Sequence, residues 1–154
     1  MSITILKPGL QSTIQDLGRN GYTHYGISAS GAADSFSLRI ANLLVGNPEC
    51  FAGIEISLIV GIFRFDADAF IALCGSEYEA KLDGKSILWQ QGIYVRSGQK
   101  LAIGPTKSGA RCYLAVRGGM DVPNYLSGKS THVMSQMDGS VSYTHLTLPT
   151  NREV

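Results

Sequence analysis

Glu77-Tyr78-Glu79-Ala80-Lys81-Leu82-Asp83-Gly84-Lys85-Ser86-Ile87-Leu88-Trp89 reads as a β-hairpin. Glu77 to Leu82 alternates polar and apolar residues, which is the period of a half-buried strand. Asp83-Gly84 is a two-residue turn suited to the positive φ angles of a tight hairpin, and Lys85 to Trp89 returns from it. Working outward, Ile54 to Val60, Ile62 to Phe65 and Ala69 to Cys74 are rich in β-branched and aromatic residues and predict strands. Tyr94-Val95, Ser97-Gly98 and Lys100 to Ile103 predict a further hairpin. Ala110 to Val116 predicts a last strand, ending at Arg117-Gly118-Gly119. Toward the start, Ser2 to Lys7 alternates, Pro8-Gly9 turns, and Leu10 to Gln15 makes a second short strand. Many short strands at close spacing point to a barrel or a sandwich.

One segment breaks the β pattern. Gly18 to Gly31 contains Gly18, Gly21, Gly26 and Gly31 with no period of either kind, and so predicts a loop. Asp34 to Val45 predicts the single helix, with Phe36, Ile40, Leu43 and Leu44 as its apolar face. Ser30 or Asp34 can cap its start, and Gly46-Asn47-Pro48 stops it. A glycine-punctuated loop on a rigid scaffold is where binding and chemistry usually sit.

At 154 residues the chain is one domain's worth, long enough to build an ordinary core. The 13 basic and 12 acidic residues give a net charge of +1, so there is no basic stripe for a nucleic-acid backbone. No secretory leader opens the chain, and no apolar run reaches membrane-spanning length. The three cysteines, Cys50, Cys74 and Cys112, are widely spaced, and two sit in apolar runs as small core residues. The expectation is a cytoplasmic protein that binds neither nucleic acid nor membrane.

Several side chains could carry chemistry. Asp16 and Arg19 can hold a carboxylate or carboxamide between them, or simply pair locally on their turn. Asp34 favours the helix dipole whatever else it does. Arg39 and Asn42 share a polar helix face, and Asn42 interrupts an otherwise apolar helical end. Glu55, between Ile54 and Ile56, either faces solvent or turns inward and takes an arginine as partner. His24 and His132 stand at no metal-ligand spacing, so no metal site is expected. No G-x-x-x-x-G-K-[ST] phosphate loop is present.

Taken together, Gly9-Leu10-Gln11, Gln15-Asp16-Leu17-Gly18-Arg19-x-Gly21-Tyr22, Ser30-Gly31-Ala32-x-Asp34, Ala41-Asn42-x-Leu44-Val45-Gly46-Asn47, Ile54-Glu55-Ile56 and Tyr113-Leu114-Ala115-Val116-x-Gly118-Gly119 resemble the carboxyltransferase-domain family, also called allophanate hydrolase subunit 2. The resemblance runs from about Ser2 to Ser130. It implies a mostly-β, cyclophilin-like β-barrel lobe with one packed helix, the first of two lobes.

The resemblance implies the C-type component of an ATP-dependent 5-oxoprolinase, an enzyme that opens the pyroglutamate lactam to glutamate. Such a component works with A-type and B-type partner subunits on a small amide substrate. ATP then belongs to the complex, and this chain offers it no P-loop. The alternatives are the biotin-dependent carboxyltransferase domain of urea carboxylase, or a Kip-type regulatory binding protein without catalysis. Biotin enters only with the carboxyltransferase alternative. The site residues implied are Asp16, Arg19, Asp34 and Asn42 as catalytic groups. Gln15, Gly18, Gly31, Arg39 and Glu55 are implied as substrate-binding groups, with no metal. Within these, Arg19 would face a substrate carboxylate or oxyanion, Asp16 would orient Arg19, and Asn42 would position the substrate.

Residues 141–154, including His145, look like translated adapter sequence and not like the preceding rhythm. The expected organisation is a truncated first lobe over 1–140 and a non-native tail over 141–154, with the lone lobe inactive by itself.

Overall fold

The computed structural model describes residues 2–9, 11–58, 61–132 and 145–147, the last three as backbone. Its strands are β1 (Ser2–Lys7), β2 (Gln11–Gln15), β3 (Gly53–Ser57), β4 (Gly61–Phe65), β5 (Ala69–Gly75), β6 (Tyr78–Leu82), β7 (Lys85–Ser86), β8 (Gly92–Val95), β9 (Lys100–Thr106), β10 (Arg111–Val116) and β11 (His145–Thr147). Among the described residues there is one α-helix, α1 (Ser35–Leu44), between β2 and β3 in sequence. A single 3-10 turn, Thr23–Tyr25, interrupts the glycine loop.

The strands form two antiparallel sheets, one ordered β11-β1-β4-β9-β6-β7 and the other β2-β3-β10-β5-β8. Between them lies the main core. Ile3, Phe63, Phe65, Leu101 and Ile103 of the first sheet meet Ile14, Ile54, Ile56, Ile71, Leu73 and Leu114 of the second. Strand periodicity puts the alternate residues of β10 on the other face. There Tyr113 and Ala115, with Ala72 and Cys74 of β5, receive Leu38, Ala41 and Val45 from the helix segment.

This architecture corrects the expected cyclophilin-like β-barrel. Among the described residues the sheets do not close: one ends on β11 and β7, the other on β2 and β8. A barrel removes its edges by pairing them, whereas here the edges are handled locally. β7 is only two residues long. The outer edge of β2 is occupied by Thr131, whose N–H donates to Ile14 O at 2.9 Å.

Two smaller expectations change as well. The Asp83-Gly84 hairpin forms, with Lys81 opposite Ser86, Leu82 opposite Lys85, and φ of 47° and 81° at the turn. The second expected hairpin does not. β8 pairs with β5 and β9 pairs with β4 and β6, so Ser97-Gly98 carries the chain from one sheet to the other. The helix turns only part of the expected face inward, with Ile40 and Leu44 packed half-buried against the cluster that Leu38, Ala41 and Val45 form with β5 and β10. Leu38 and Ala41 are buried, while Phe36 is 71% and Leu43 52% exposed. Small residues on β5 and β10 let the helix approach closely at Ala41, and this overrides part of the bulkier stripe.

The strand expected over Ile54 to Val60 is β3 as far as Ser57, with residues 59 and 60 outside the described residues. The boundary placed at 140 also falls outside them. Of the expected tail, only His145–Thr147 is described, as β11 paired antiparallel to Ser2–Thr4.

Candidate functional site

Asp16 begins the glycine loop at the end of β2, and its carboxylate is surrounded by donors. Oδ1 accepts from Gly18 N at 2.7 Å and from the Ser130 hydroxyl, and Oδ2 accepts from Lys129 N at 2.6 Å. Asp16 N donates in turn to Ser130 Oγ at 2.9 Å. Arg19 is 2% exposed, and its Nη2 donates to Ser130 O. Asp16 and Arg19 therefore meet on one residue, Ser130. Together they pin the strap Gly128–Thr131 along the edge of β2. Gly128 lies so close to Arg19 that a Cβ there would stand 3.1 Å from Arg19 Cβ.

Gly18 and Gly31 have φ of 87° and 98°. A Cβ on Gly18 would come within 2.8 Å of Ala29 O and Ser30 O, and one on Gly31 within 2.9 Å of Gly18 N. Their positive φ and missing side chains let the two arms of the loop touch each other. Gln15 is buried on β2, and its Nε2 donates to Thr13 Oγ1 (3.1 Å) and Thr131 O (3.2 Å). Gln15 Oε1 and Thr131 Oγ1 are sealed from solvent without a hydrogen-bond partner among the described residues.

Asn42 is fully buried and does for one loop what Asp16 does for another. Its Nδ2 donates to Phe51 O at 2.7 Å, and its Oδ1 accepts from Asn47 Nδ2 at 3.0 Å. Asn47 reaches on to Val116 O (2.8 Å) and accepts from Gly118 N (2.8 Å). The pair thus ties the segment after α1 to the Arg117-Gly118-Gly119 turn.

Glu55 faces inward, the less common of its two readings. Its partners are not the arginines of the loop and helix. Oε2 accepts from Tyr113 Oη at 2.8 Å and Ala33 N at 3.0 Å, and Oε1 pairs with Arg111 Nε at 3.0 Å. Asp34 N donates to Tyr113 Oη at 2.8 Å. Burial, reinforced by the Glu55 carboxylate, pushes the Tyr113 phenol well up, so it remains a proton donor. Asp34 itself caps α1, accepting from Ser37 N at 3.1 Å; the Ser37 hydroxyl holds its carboxyl below the ordinary value. Arg39 stands apart in an exposed pair with Glu49 at 3.8 Å.

Asp16 and Gly18 line a cavity of about 470 Å³. Phe51 and Ala52 form one wall, Gly118 to Asp121 another, and Ser127 to Lys129 the rim. The cavity therefore lies between the strap held by Asp16 and Arg19 and the turn held by Asn42 and Asn47. A larger hollow of about 680 Å³ lies between Gly75–Ala80, Ser86–Gln90 and Lys107–Gly109. It contains none of the sequence-selected residues, and its Glu77 is already paired with Lys107 at 2.7 Å. The smaller cavity is the better candidate because the buried polar framework converges on it.

Sequence reasoning missed Asp121, Asn124 and Lys129, which line this cavity, and Ser130, which organises it. Their signal is faint, a Gly-Lys-Ser turn with no periodicity around it. Among the described residues, no three His, Cys, Asp or Glu side chains converge as a metal site. Cys74 and Cys112 are buried free thiols, and burial pushes Cys74 up to about 11. Cys50 is exposed on the cavity.

Residues 25–150 match the family described as carboxyltransferase domain, subdomain A and B. The chain belongs to that family. This carboxyltransferase-family chain is 39% identical over 139 residues to urea amidolyase of Saccharomyces cerevisiae, covering 90% of this chain and 8% of that protein. It is 39% identical over 137 residues to the 5-oxoprolinase C subunit of Escherichia coli, covering 89% of this chain and 44% of the relative. The crystal structure of K. lactis urea amidolyase superposes with a TM-score of 0.88 at 37% identity, over 90% of this chain and 8% of that one. The chain thus spans less than half the length of either curated relative. Among the described residues, no helix is long and apolar enough to cross a membrane.

Proposed function

We propose that this chain is the substrate-binding part of a biotin-dependent carboxyltransferase domain of the urea carboxylase type, working in the cytoplasm. The observation that carries this reading is the composition of the 470 Å³ cavity. Leu17 and Phe51 offer apolar surface, while Asp121, Asn124 and Lys129 offer polar groups. A small amide beside a bicyclic ring with one apolar and one urea-like edge fits that mixture. Leu17 and Phe51 would hold the apolar edge of biotin, and Asn124 its polar edge. When bound, carboxylated biotin supplies the carboxyl group. The chain's own residues bind the amide acceptor, keep it oriented, and present fixed dipoles where negative charge develops. The biotin carrier and the carboxylase that loads it would be partner domains or separate chains.

ATP does not fit the glycine turns. Gly18 N is committed to Asp16, Gly118 N to Asn47 Oδ1 and Gly119 N to Val116 O, so none of these amides remains to cradle a phosphate. The equal identity to the 5-oxoprolinase C subunit supports a second reading, in which the amide is a lactam and ATP is handled by partner chains.

The test is a pair of grafts. The chain replaces the matching segment of yeast urea amidolyase in one and of the E. coli 5-oxoprolinase component in the other. Urea-dependent turnover restored in the first graft supports the carboxyltransferase reading. Turnover restored only in the second overturns it in favour of lactam hydrolysis. A chain of purely regulatory type restores neither and still binds one of the other 5-oxoprolinase components.

A further inference from the structure

We infer that Lys129 is the carboxylate-binding residue of the cavity, the role that sequence reasoning gave to Arg19. The inference deepens the reading of the cavity given above and rests on it. Arg19 is buried beneath the strap, with Nη2 turned to Ser130 O, and so holds the cavity's rim from behind. Lys129 lines the cavity itself.

Both ends of Lys129 are fixed. Its backbone N–H donates to Asp16 Oδ2 at 2.6 Å, and its ammonium donates to Met120 O, across the cavity rim, at 2.9 Å. An ammonium has three donors, and a main-chain carbonyl takes one without neutralising the charge. Ion pairs within 4 Å among the described residues engage Arg39, Arg64, Lys81, Lys107 and Arg111, none of which lines this cavity. Among the described residues no carboxylate pairs with the Lys129 ammonium. The two acids that share its cavity do not take that place. Asp16 spends its oxygens on Gly18 N, Lys129 N and the Ser130 hydroxyl, and Asp121 is exposed. A half-buried, pre-positioned ammonium with spare donors binds an anionic oxygen more strongly than a mobile surface lysine does, because less side-chain freedom is lost.

The shared ligand chemistry is a small molecule carrying an amide and a carboxylate. The carboxylate has two possible sources, a substituent on a lactam or the carboxyl group just placed on a urea nitrogen. Two matched pairs of probes separate them. 5-Oxoproline and 2-pyrrolidinone differ only in the carboxylate on the lactam ring. Malonamate and malonamide are stable mimics of a carboxylated urea and differ in carrying a carboxylate or a second amide.

Binding is followed by calorimetry and by the backbone amide signals of Leu17, Phe51 and Met120 in the full chain. The acid of at least one pair is expected to bind wild type roughly tenfold tighter than its neutral partner, the range for a hydrogen bond to a charged group. Which pair shows the preference identifies the source. Lys129→Met is expected to erase the preference while leaving the neutral ligand's affinity in place, and Lys129→Arg to keep part of it. Equal affinity of acid and neutral partner for wild type overturns the assignment of Lys129, whatever the variants do, while leaving the cavity as a binding site. If none of the four probes moves the cavity signals, the reading of the cavity fails and the inference with it.

Discussion

The two walls of the cavity are held by different chemistry. On one side a charged framework, Asp16 and Arg19, converges on Ser130 and pins Gly128–Thr131. On the other a neutral framework, Asn42 and Asn47, pins Phe51 and the Gly118 turn. Each replaces a stretch of sheet ladder with buried side chains that satisfy loop amides and carbonyls, the obligatory partner problem of any buried loop. The neutral wall needs only geometric fit, since amides bury without carrying charge. The charged wall costs more to bury and is worse when half dismantled. It also directs its backbone so that Lys129 faces the cavity. One wall therefore supplies shape, and the other supplies shape together with charge.

Removing Arg19 is the strongest way to break this comparison. Arg19→Met leaves Ser130 O without its buried donor and should cost about 2–4 kcal/mol in denaturant unfolding. Amide exchange at Lys129 and Thr131 should accelerate while Gly118 stays protected. Equal acceleration at both walls would show that they open as one unit.

Asn42→Ala should cost about 1–2 kcal/mol and reverse that pattern, loosening Gly118 and Phe51 and sparing Lys129.

A smaller effect is expected at the helix start. The Ser37 hydroxyl depresses the Asp34 carboxyl below 3.8 in the folded state. Its contribution is therefore fully present above that value and is lost as the pH falls through the folded value, below about pH 4. Asp34→Asn should remove this part of the acid sensitivity. Asp34→Ala should cost about 0.5–1 kcal/mol at neutral pH, the low end for a solvent-screened cap. Neither change should alter amide exchange at Lys129, since Asp34 supports the helix and not the strap.

The smallest effect belongs to Arg39→Ala, whose half-exposed pair with Glu49 is expected to contribute under about 0.5 kcal/mol. A larger loss would mean that Arg39 meets something beyond Glu49.

Much of the local structure was legible in the sequence. Asp83-Gly84 specifies its turn because few dipeptides tolerate two positive φ angles in succession. Asp34 and the Gly46-Asn47 stop bound the helix through chemistry that acts within one turn. Asp16, Arg19, Asn42 and Glu55, which stand out in the sequence as polar groups among apolar or glycine neighbours, are each buried and bonded. Their roles were not legible. An arginine three residues from an aspartate gives no hint that both will meet Ser130, more than a hundred residues away. Lys129 sits in an aperiodic turn, so nothing local distinguishes it from a solvated surface lysine.

What the sequence by itself determined is therefore the set of elements: short strands, tight turns, one capped helix and a glycine loop. These follow from dihedral preferences and nearest-neighbour hydrogen bonds, which act over a few residues. Only the tertiary structure decided that the sheets stay open, that Ser97-Gly98 crosses between them, and that the helix seats Leu38 and Ala41 while Phe36 faces water. It also decided that Arg19 lies behind the cavity and Lys129 lines it. Alternating strands look alike in barrels and open sheets, and a helix buries whichever face matches the surface it meets. Both outcomes depend on contacts between residues far apart in the chain, and spacing along the chain does not encode them.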